Sequence, residues 1–295
     1  MSGAGPKGGY LVVDLETVQD PRLPWDAAKS GFPPPPFHRV VSIGALWLRS
    51  DLRLERLGVV GREPGEPPDA PLDERVALQA FATFVERAQP TLVTFNGRRF
   101  DLPVLAHRCL AHGVPFPFYY QRGVRYRYSD EGHIDLADLL TDHGAAQMVS
   151  LDAAAHLVGL PGKLGVDGSK VQQLFDDGRH ADIDAYCLQD VVQTTFLLLR
   201  VELLRGRVPP DAYRRAAREL WDALWRDERA RTVLEASDRA RLLLEPAATT
   251  DPAEPPSTGD EPGEASGEAS TAPPSDPVVE HPVEPPDEPA PGTTA

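Results

Sequence analysis

Cysteine is close to absent from this chain of 295 residues: Cys109 and Cys187 are the only two. Two thiols argue against a disulfide scaffold and a cysteine zinc site, and they fit a reducing, cytoplasmic setting. No run of about 18 apolar residues occurs, so no transmembrane helix and no membrane contact is expected. Residues 1–9 (MSGAGPKGG) lack the apolar stretch of a secretory signal. Lysine is scarce, four residues against 26 arginines, and arginine suits phosphate contacts. No internal repeat is present.

Residues 246–295 contain no lysine, arginine or aromatic residue, yet hold thirteen of the 31 prolines and eleven acids. Such a segment buries too little apolar surface to offset its ordering entropy, so a disordered acidic tail is expected. The formal charge of −15 falls to about −4 for residues 1–245 once those acids are set aside. That body fits one domain with an appended element and is large enough for a core.

Residues 9–15 (GYLVVDL) read as a buried strand, and the proline-rich stretch 18–37 as a loop. Residues 39–49 and 52–61 read as two more strands joined as an antiparallel hairpin. Apolar spacing predicts a helix over 72–89, then a short strand at 91–95. Pro103 can open a helix as its first residue and Gly113 can end it. Residues 116–130 read as a hairpin or long loop, Ser150 as the cap of a helix through Leu157, 168–175 as a short helix and 181–204 as a long one. Residues 210–244 read as one or two further helices. This order predicts an α/β fold with a mixed central sheet flanked by helices.

Asp14 and Glu16 lie two apart on the first strand, so their side chains share a face. Two like charges at the edge of a core repel unless something neutralises them, and a magnesium or manganese ion does so with oxygen ligands. Asn96, Gly97 and Asp101 follow the 91–95 strand, where open α/β sheets place their sites. Helix capping by Asp101 and a turn at Asn96-Gly97 explain that segment equally well. Tyr186 and Asp190, spaced i,i+4 within a long helix, share one helix face.

Asp-x-Glu on the first strand, Asn-x-x-x-Phe-Asp at a strand-to-helix junction and Tyr-x-x-x-Asp on a late helix stand in one order. This set resembles the DEDD superfamily of 3′–5′ exonucleases, which have the ribonuclease H-like fold, in its DEDDy branch. The other branch has histidine five residues before the last aspartate, where this chain has Ala185. The chain further resembles bacterial stand-alone exonucleases related to the proofreading domain of family-B DNA polymerases. That likeness rests on residues 14–17 (DLET), 37–43 (FHRVVSI), 95–105 (FNGRRFDLPVL), 133–136 (HIDL), 162–169 (GKLGVDGS) and 186–192 (YCLQDVV). It spans roughly 9–205. The expected organisation is a flexible N-terminus (1–8), the exonuclease domain (9–205), a C-terminal helical extension (206–245) and the tail (246–295).

The resemblance implies hydrolysis of phosphodiester bonds from the 3′ end of single-stranded DNA by two divalent cations, magnesium or manganese. It implies that Asp14 bridges both ions, that Glu16 and Asp190 complete the first, that Asp101 serves the second and that Tyr186 orients the attacking water. Thr17 is then a candidate for the terminal 3′-hydroxyl and Asn96 for the strand end. Phe100 fits either the terminal base or sugar or a place in the core. Arg98, Arg99, Arg122, Arg125 and Arg127, interleaved with Tyr119, Tyr120, Tyr126 and Tyr128, suit either phosphate contact and base stacking or a solvated hairpin. Lys163 and Lys170 belong to the family-like stretches. The histidines, among them His38, His107, His112, His133, His143, His156 and His180, show no paired metal-ligand spacing and read as structural or surface residues. An exoribonuclease of the same chemistry and a non-catalytic nucleic-acid-binding module are the alternatives.

Overall fold

The computed structural model describes residues 7–26, 31–63, 65–165 and 168–245. The expected tail and most of the expected N-terminal segment lie outside them. Ordered contacts begin before residue 9, because the Gly8 carbonyl accepts from Trp47 Nε1 at 3.1 Å.

β1 (Tyr10–Gln19) is the central strand. β2 (His38–Leu48) and β3 (Leu54–Val59) add to one side of it as antiparallel neighbours. After α1 (Glu74–Ala88), the strands β4 (Thr91–Thr94) and β5 (His133–Asp135) add to the other side in parallel. The order β3-β2-β1-β4-β5, part antiparallel and part parallel, is the mixed sheet of the ribonuclease H-like expectation. Between β4 and β5 lie α2 (Asp101–His112) and the single turn α3 (Arg122–Arg125). α4 (Leu136–Leu140), α5 (Leu151–Val158), α6 (Val171–Asp176) and the long α7 (His180–Leu204) follow. α8 (Pro210–Leu224), α9 (Glu228–Glu235) and α10 (Arg239–Leu243) close the described chain. No helix among the described residues is long and apolar enough to cross a membrane.

Strand alternation divides the core in two. Leu11, Val13 and Leu15 of β1 pack with Leu78 and Phe81 of α1 and Leu105 of α2. Tyr10 and Val12 face the other way, into a cluster with Val191 and Phe196 of α7 and Leu220 and Val233 of α8 and α9. Asp14 and Glu16 share the parity of Val12, so the same alternation turns them toward α7. α7 is buried between the sheet and the C-terminal helices, which is why its apolar residues run around much of its circumference.

Several expectations change. β1 does not stop at the acids but continues to Gln19, with a bulge between Glu16 and Thr17. Of the two readings of residues 116–130 the hairpin fails, since they form no strand, and the long loop holds, with a 3-10 turn at Pro117–Tyr120 and α3 within it. α2 opens at Asp101 instead of Pro103, while Gly113 ends it in the left-handed region as expected. The C-terminal segment holds three helices instead of one or two. β5 was not expected, because three residues carry too little periodicity.

A buried ion cluster ties the sheet to its helices. Arg108 of α2, 2% exposed, donates to both Glu74 oxygens at 2.7 Å and to Asp20 at 2.6 Å. Glu74 also accepts from the Val40 amide at 2.8 Å. Arg22 and Arg108 hold Asp20 well below the usual carboxylate range. Arg108 and His112 outweigh burial and lower Glu74 as well. Carboxylates with lowered folded pKa values contribute stability that is complete above the unfolded range and is lost as pH falls through the folded values. Arg108→Leu leaves Asp20 with Arg22 and Glu74 with His112 and the Val40 amide, yet removes the buried cation between them, and is expected to cost about 3 kcal/mol in denaturant titration. Its stability should rise relative to wild type as pH is lowered, because protonation then relieves the charges left without that cation. On α8, Trp221 is buried within the α7 cluster, whereas Trp225 is 42% exposed and only stacks on it. Trp221→Ala is expected to cost about 3–5 kcal/mol, against about 1 kcal/mol for Trp225→Ala, measured by the same titration.

Candidate active site

Asp14 lies opposite Gly44 in the β1/β2 register, and α7 crosses that point. A Cβ on Gly44 would lie 2.8 Å from Cys187 Sγ, so only glycine lets the helix approach this closely. Cys187 accepts from the Gly44 amide at 3.2 Å and donates toward Asp14, 3.4 Å from its carbonyl oxygen. This seats Tyr186, the preceding residue, and Asp190, one turn on, over the β1 acids. Tyr186 and Glu16 are buried; Asp14 and Asp190 are partly exposed. The Tyr186 hydroxyl lies beside the Asp190 carboxylate and favours its ionised form.

Asp101 arrives from the other side of β1. It is 6% exposed, and its side chain does not cap α2. Its own backbone amide and that of Leu15 on β1 lie close enough to favour the ionised carboxylate. The loop before it is held by Asp135 at the end of β5, which sequence reasoning missed. One Asp135 oxygen accepts from the Asn96 amide at 2.8 Å and the other from the Arg98 amide at 2.9 Å. Asn96 sits in the left-handed region that asparagine tolerates, and a Cβ on Gly97 would lie 2.5 Å from Thr94. The His-Ile-Asp-Leu stretch was the available signal, but nothing in it says which backbone amides Asp135 accepts from.

The four acids are close enough to disturb one another. Burial first, then the charges of Asp101, Asp190 and Glu16, hold Asp14 well above the carboxylate range. Burial, Asp190 and Asp101 do the same to Glu16. Burial pushes Asp101 up to about 7 and Asp190 up to about 6; the Tyr186 hydroxyl and the Lys163 charge restrain Asp190. Burial and the neighbouring acids raise Tyr186, which therefore stays protonated. Oxygen donors in excess of positive charge fit hard divalent cations. Among the described residues, the tightest group able to hold a metal ion is Asp14, Glu16 and Cys187, whose ligand atoms lie within 4.8 Å of one another. Burial raises the Cys187 thiol well above its ordinary value, so it is a protonated donor and a poor ligand for such a cation.

The remaining candidates divide. Thr17 Oγ1 lies 2.9 Å from His38 Nδ1. Phe100 is partly buried, packing on the α1/α2 cluster while meeting the His38 ring at 4.8 Å, so core and cleft share it. Arg98 is engaged with Asp138 and the carbonyls of Val124 and Arg125, and Arg127 forms a bidentate pair with Asp138. Arg99 is exposed. Arg122 lies over the Tyr126 ring and Arg125 over Tyr119 and Tyr120, with Tyr120, Tyr126 and Tyr128 exposed. Lys170 Nζ donates to the Gly165 carbonyl. Residues 166 and 167 of the 162–169 stretch lie outside the described residues. His133 is buried against Thr94 Oγ1 at 2.8 Å, and His107 and His156 bond backbone carbonyls of their own helices. Among the described residues, no histidine belongs to the acidic group.

Among solved structures, the chain is similar to the family B DNA polymerase of the archaeon Pyrobaculum calidifontis. That match has 20% identity and a TM-score of 0.46, over 79% of this chain and 28% of the polymerase. It is also similar to exonuclease I in a product-bound structure, at 14% identity and a TM-score of 0.34, over 69% of this chain and 44% of that one. The zinc-bound complex of Escherichia coli exonuclease I with single-stranded DNA gives 14% identity and a TM-score of 0.31, over 67% and 44%. The chain thus spans less than half the length of each. No curated protein matches. A family model matches residues 30–239, a segment that begins after Asp14 and Glu16 and runs past 205 through α8 and α9. Asp101, Tyr186 and Asp190 all fall within it, and the chain belongs to that family, described as predicted 3′–5′ exonucleases related to the exonuclease domain of PolB.

Proposed function

We propose that the chain removes nucleotides from the 3′ end of single-stranded DNA as a DEDDy-type exonuclease. Asp14, Glu16, Asp101 and Asp190 would hold two divalent cations, magnesium or manganese. The observation that carries this reading is the convergence of acids on β1: the charges of Asp101, Asp190 and Glu16 reach Asp14, those of Asp190 and Asp101 reach Glu16, and Tyr186 lies beside all but Asp101. Such cations, when bound, supply the charge that neutralises the attacking and leaving oxygens of phosphodiester hydrolysis. Asp14 feels the charges of Asp101, Asp190 and Glu16 alike, which makes it the natural shared ligand. Tyr186 keeps its proton, so it can orient a water by hydrogen bond but is unsuited to be the base. Asp135 keeps Asp101 in place by fixing the loop before it. Arg122, Tyr126 and Tyr128 line a hollow with Tyr10 and Thr91, at the starts of β1 and β4 and away from the acids, so no role at this site is assigned to them. The expected cytoplasmic setting accords with two free, buried thiols.

Activity on end-labelled single strands is expected to vanish in chelator and return with magnesium or manganese; undiminished activity in chelator removes the metal reading. Parallel DNA and RNA strands decide whether the site admits a 2′-hydroxyl. Tyr186→Phe is expected to lower turnover by about 10²–10⁴-fold with strand binding little changed. Asp14→Ala should do more damage, because a shared ligand is lost. Wild-type turnover in Tyr186→Phe would reduce the tyrosine to packing.

The acids also make a prediction about stability. A carboxylate whose folded pKa is raised weakens the metal-free fold at neutral pH and ceases to do so once protonated. Asp14→Asn is therefore expected to raise the melting temperature in chelator at pH 7, by about 2–4 °C for each kcal/mol relieved in a domain of this size. Magnesium should then stabilise the wild type and leave the variant nearly unmoved.

A further inference from the structure

We propose that His38 is a positioning residue that fixes the Thr17 hydroxyl as a hydrogen-bond acceptor toward the cleft, so that the site selects strands ending in a free 3′-hydroxyl. The inference rests on the exonuclease reading and deepens it.

Hydrogen-bond bookkeeping around the imidazole carries the step. His38 Nε2 lies 2.9 Å from the Pro33 carbonyl oxygen. A carbonyl can only accept, so Nε2 bears the ring hydrogen. Burial disfavours a second proton on this ring. Nδ1 is therefore a lone pair, and the atom it faces at 2.9 Å, Thr17 Oγ1, must donate to it. A threonine hydroxyl has one hydrogen. Once that hydrogen points at His38, the oxygen can only accept from any other partner.

The ring has little freedom to escape this assignment. His38 is 5% exposed, with the Phe100 ring perpendicular to it at 4.8 Å and the Phe32 ring at 5.2 Å. Thr17 remains partly exposed. It follows Glu16 across the β1 bulge, and Phe100 directly precedes Asp101, so the pair borders the acids. A terminal 3′-hydroxyl is a donor and satisfies an acceptor-only oxygen. A dideoxy terminus offers nothing to it, and an ionised 3′-phosphate presents acceptors against it.

The test compares kcat/KM for release of the first nucleotide from one single-stranded DNA sequence ending in a 3′-hydroxyl, a 2′,3′-dideoxy end or a 3′-phosphate. The wild type is expected to prefer the hydroxyl end over the dideoxy end by about tenfold, the worth of one hydrogen bond whose loss leaves a partner unmet. Thr17→Val should abolish that preference. His38→Phe, which keeps an aromatic ring but frees the threonine hydrogen, should relax discrimination against the 3′-phosphate. Adding His38→Phe to Thr17→Val should change the ratios no further. His38→Asn, whose amide oxygen can accept from Thr17, should retain the wild-type ratios. If His38→Phe slows all three ends by one common factor, His38 only ties the proline-rich loop to β1 and the proposal falls. A wild type that degrades all three ends equally overturns the proposal while leaving the exonuclease reading intact, and one that degrades none overturns both. Should the His38 variants fail to fold, an unchanged preference in Thr17→Val alone overturns it.

Discussion

Four carboxylates converging on one cleft repel one another, and the rest of this fold is what holds them there. Burial raises all four, and the charges of the others raise Asp14 and Glu16 further. The opposing force is apolar burial around them. β1 carries Asp14 and Glu16 between two hydrophobic clusters, and α7 carries Tyr186 and Asp190 while buried between the sheet and the C-terminal helices. Neither element can move away from the other without exposing its core residues.

The same chain contains acids treated in the opposite way. Asp20 and Glu74 expose as little surface as Glu16, but Arg22 and Arg108 pair with Asp20, Arg108 and His112 pair with Glu74, and both pKa values fall. Only three residues of chain separate Glu16 from Asp20. The contrast is one of partners as well as burial: the paired acids fasten β2, α1 and α2 together, and the site acids await a positive charge from outside. Strongly perturbed groups of the second kind are where function concentrates. Backbone geometry supports this division at a few points, notably Gly44 under Cys187 and Asp135 beneath the Asn96 loop.

The acids themselves were legible in the sequence. Asp-x-Glu on an apolar run and Tyr-x-x-x-Asp on a long helix follow from the periods of strand and helix, and both fall on the faces those periods imply. The mixed sheet was legible from the order of segments, apart from β5, whose three residues have no measurable period. The ends of elements were less so. β1 continues past its acids because Val18 finds a small apolar cluster with Val41 and Ile183, a long-range contact that no local pattern announces. Residues 116–130 alternate aromatics and arginines as a hairpin would, but Arg98 and Arg127 are drawn to Asp138 and the segment folds into turns. The hydrogen-bond chain from Pro33 through His38 to Thr17, and the Arg108 cluster, join residues far apart in sequence, and their chemistry appears only once the chain is folded.

Manganese binding is the most direct measure of what the acid cluster is for. The full chain, mixed with a single-stranded oligonucleotide whose terminal linkage resists hydrolysis, can be titrated with Mn²⁺ and followed by electron paramagnetic resonance. The expected result is two ions per chain with spins coupled at a separation of about 3.5–4 Å, reduced to one or none in Asp14→Asn. A wild-type protein that binds no ion, or binds ions equally well without Asp14, would contradict the assignment of these four carboxylates to a two-metal exonuclease site.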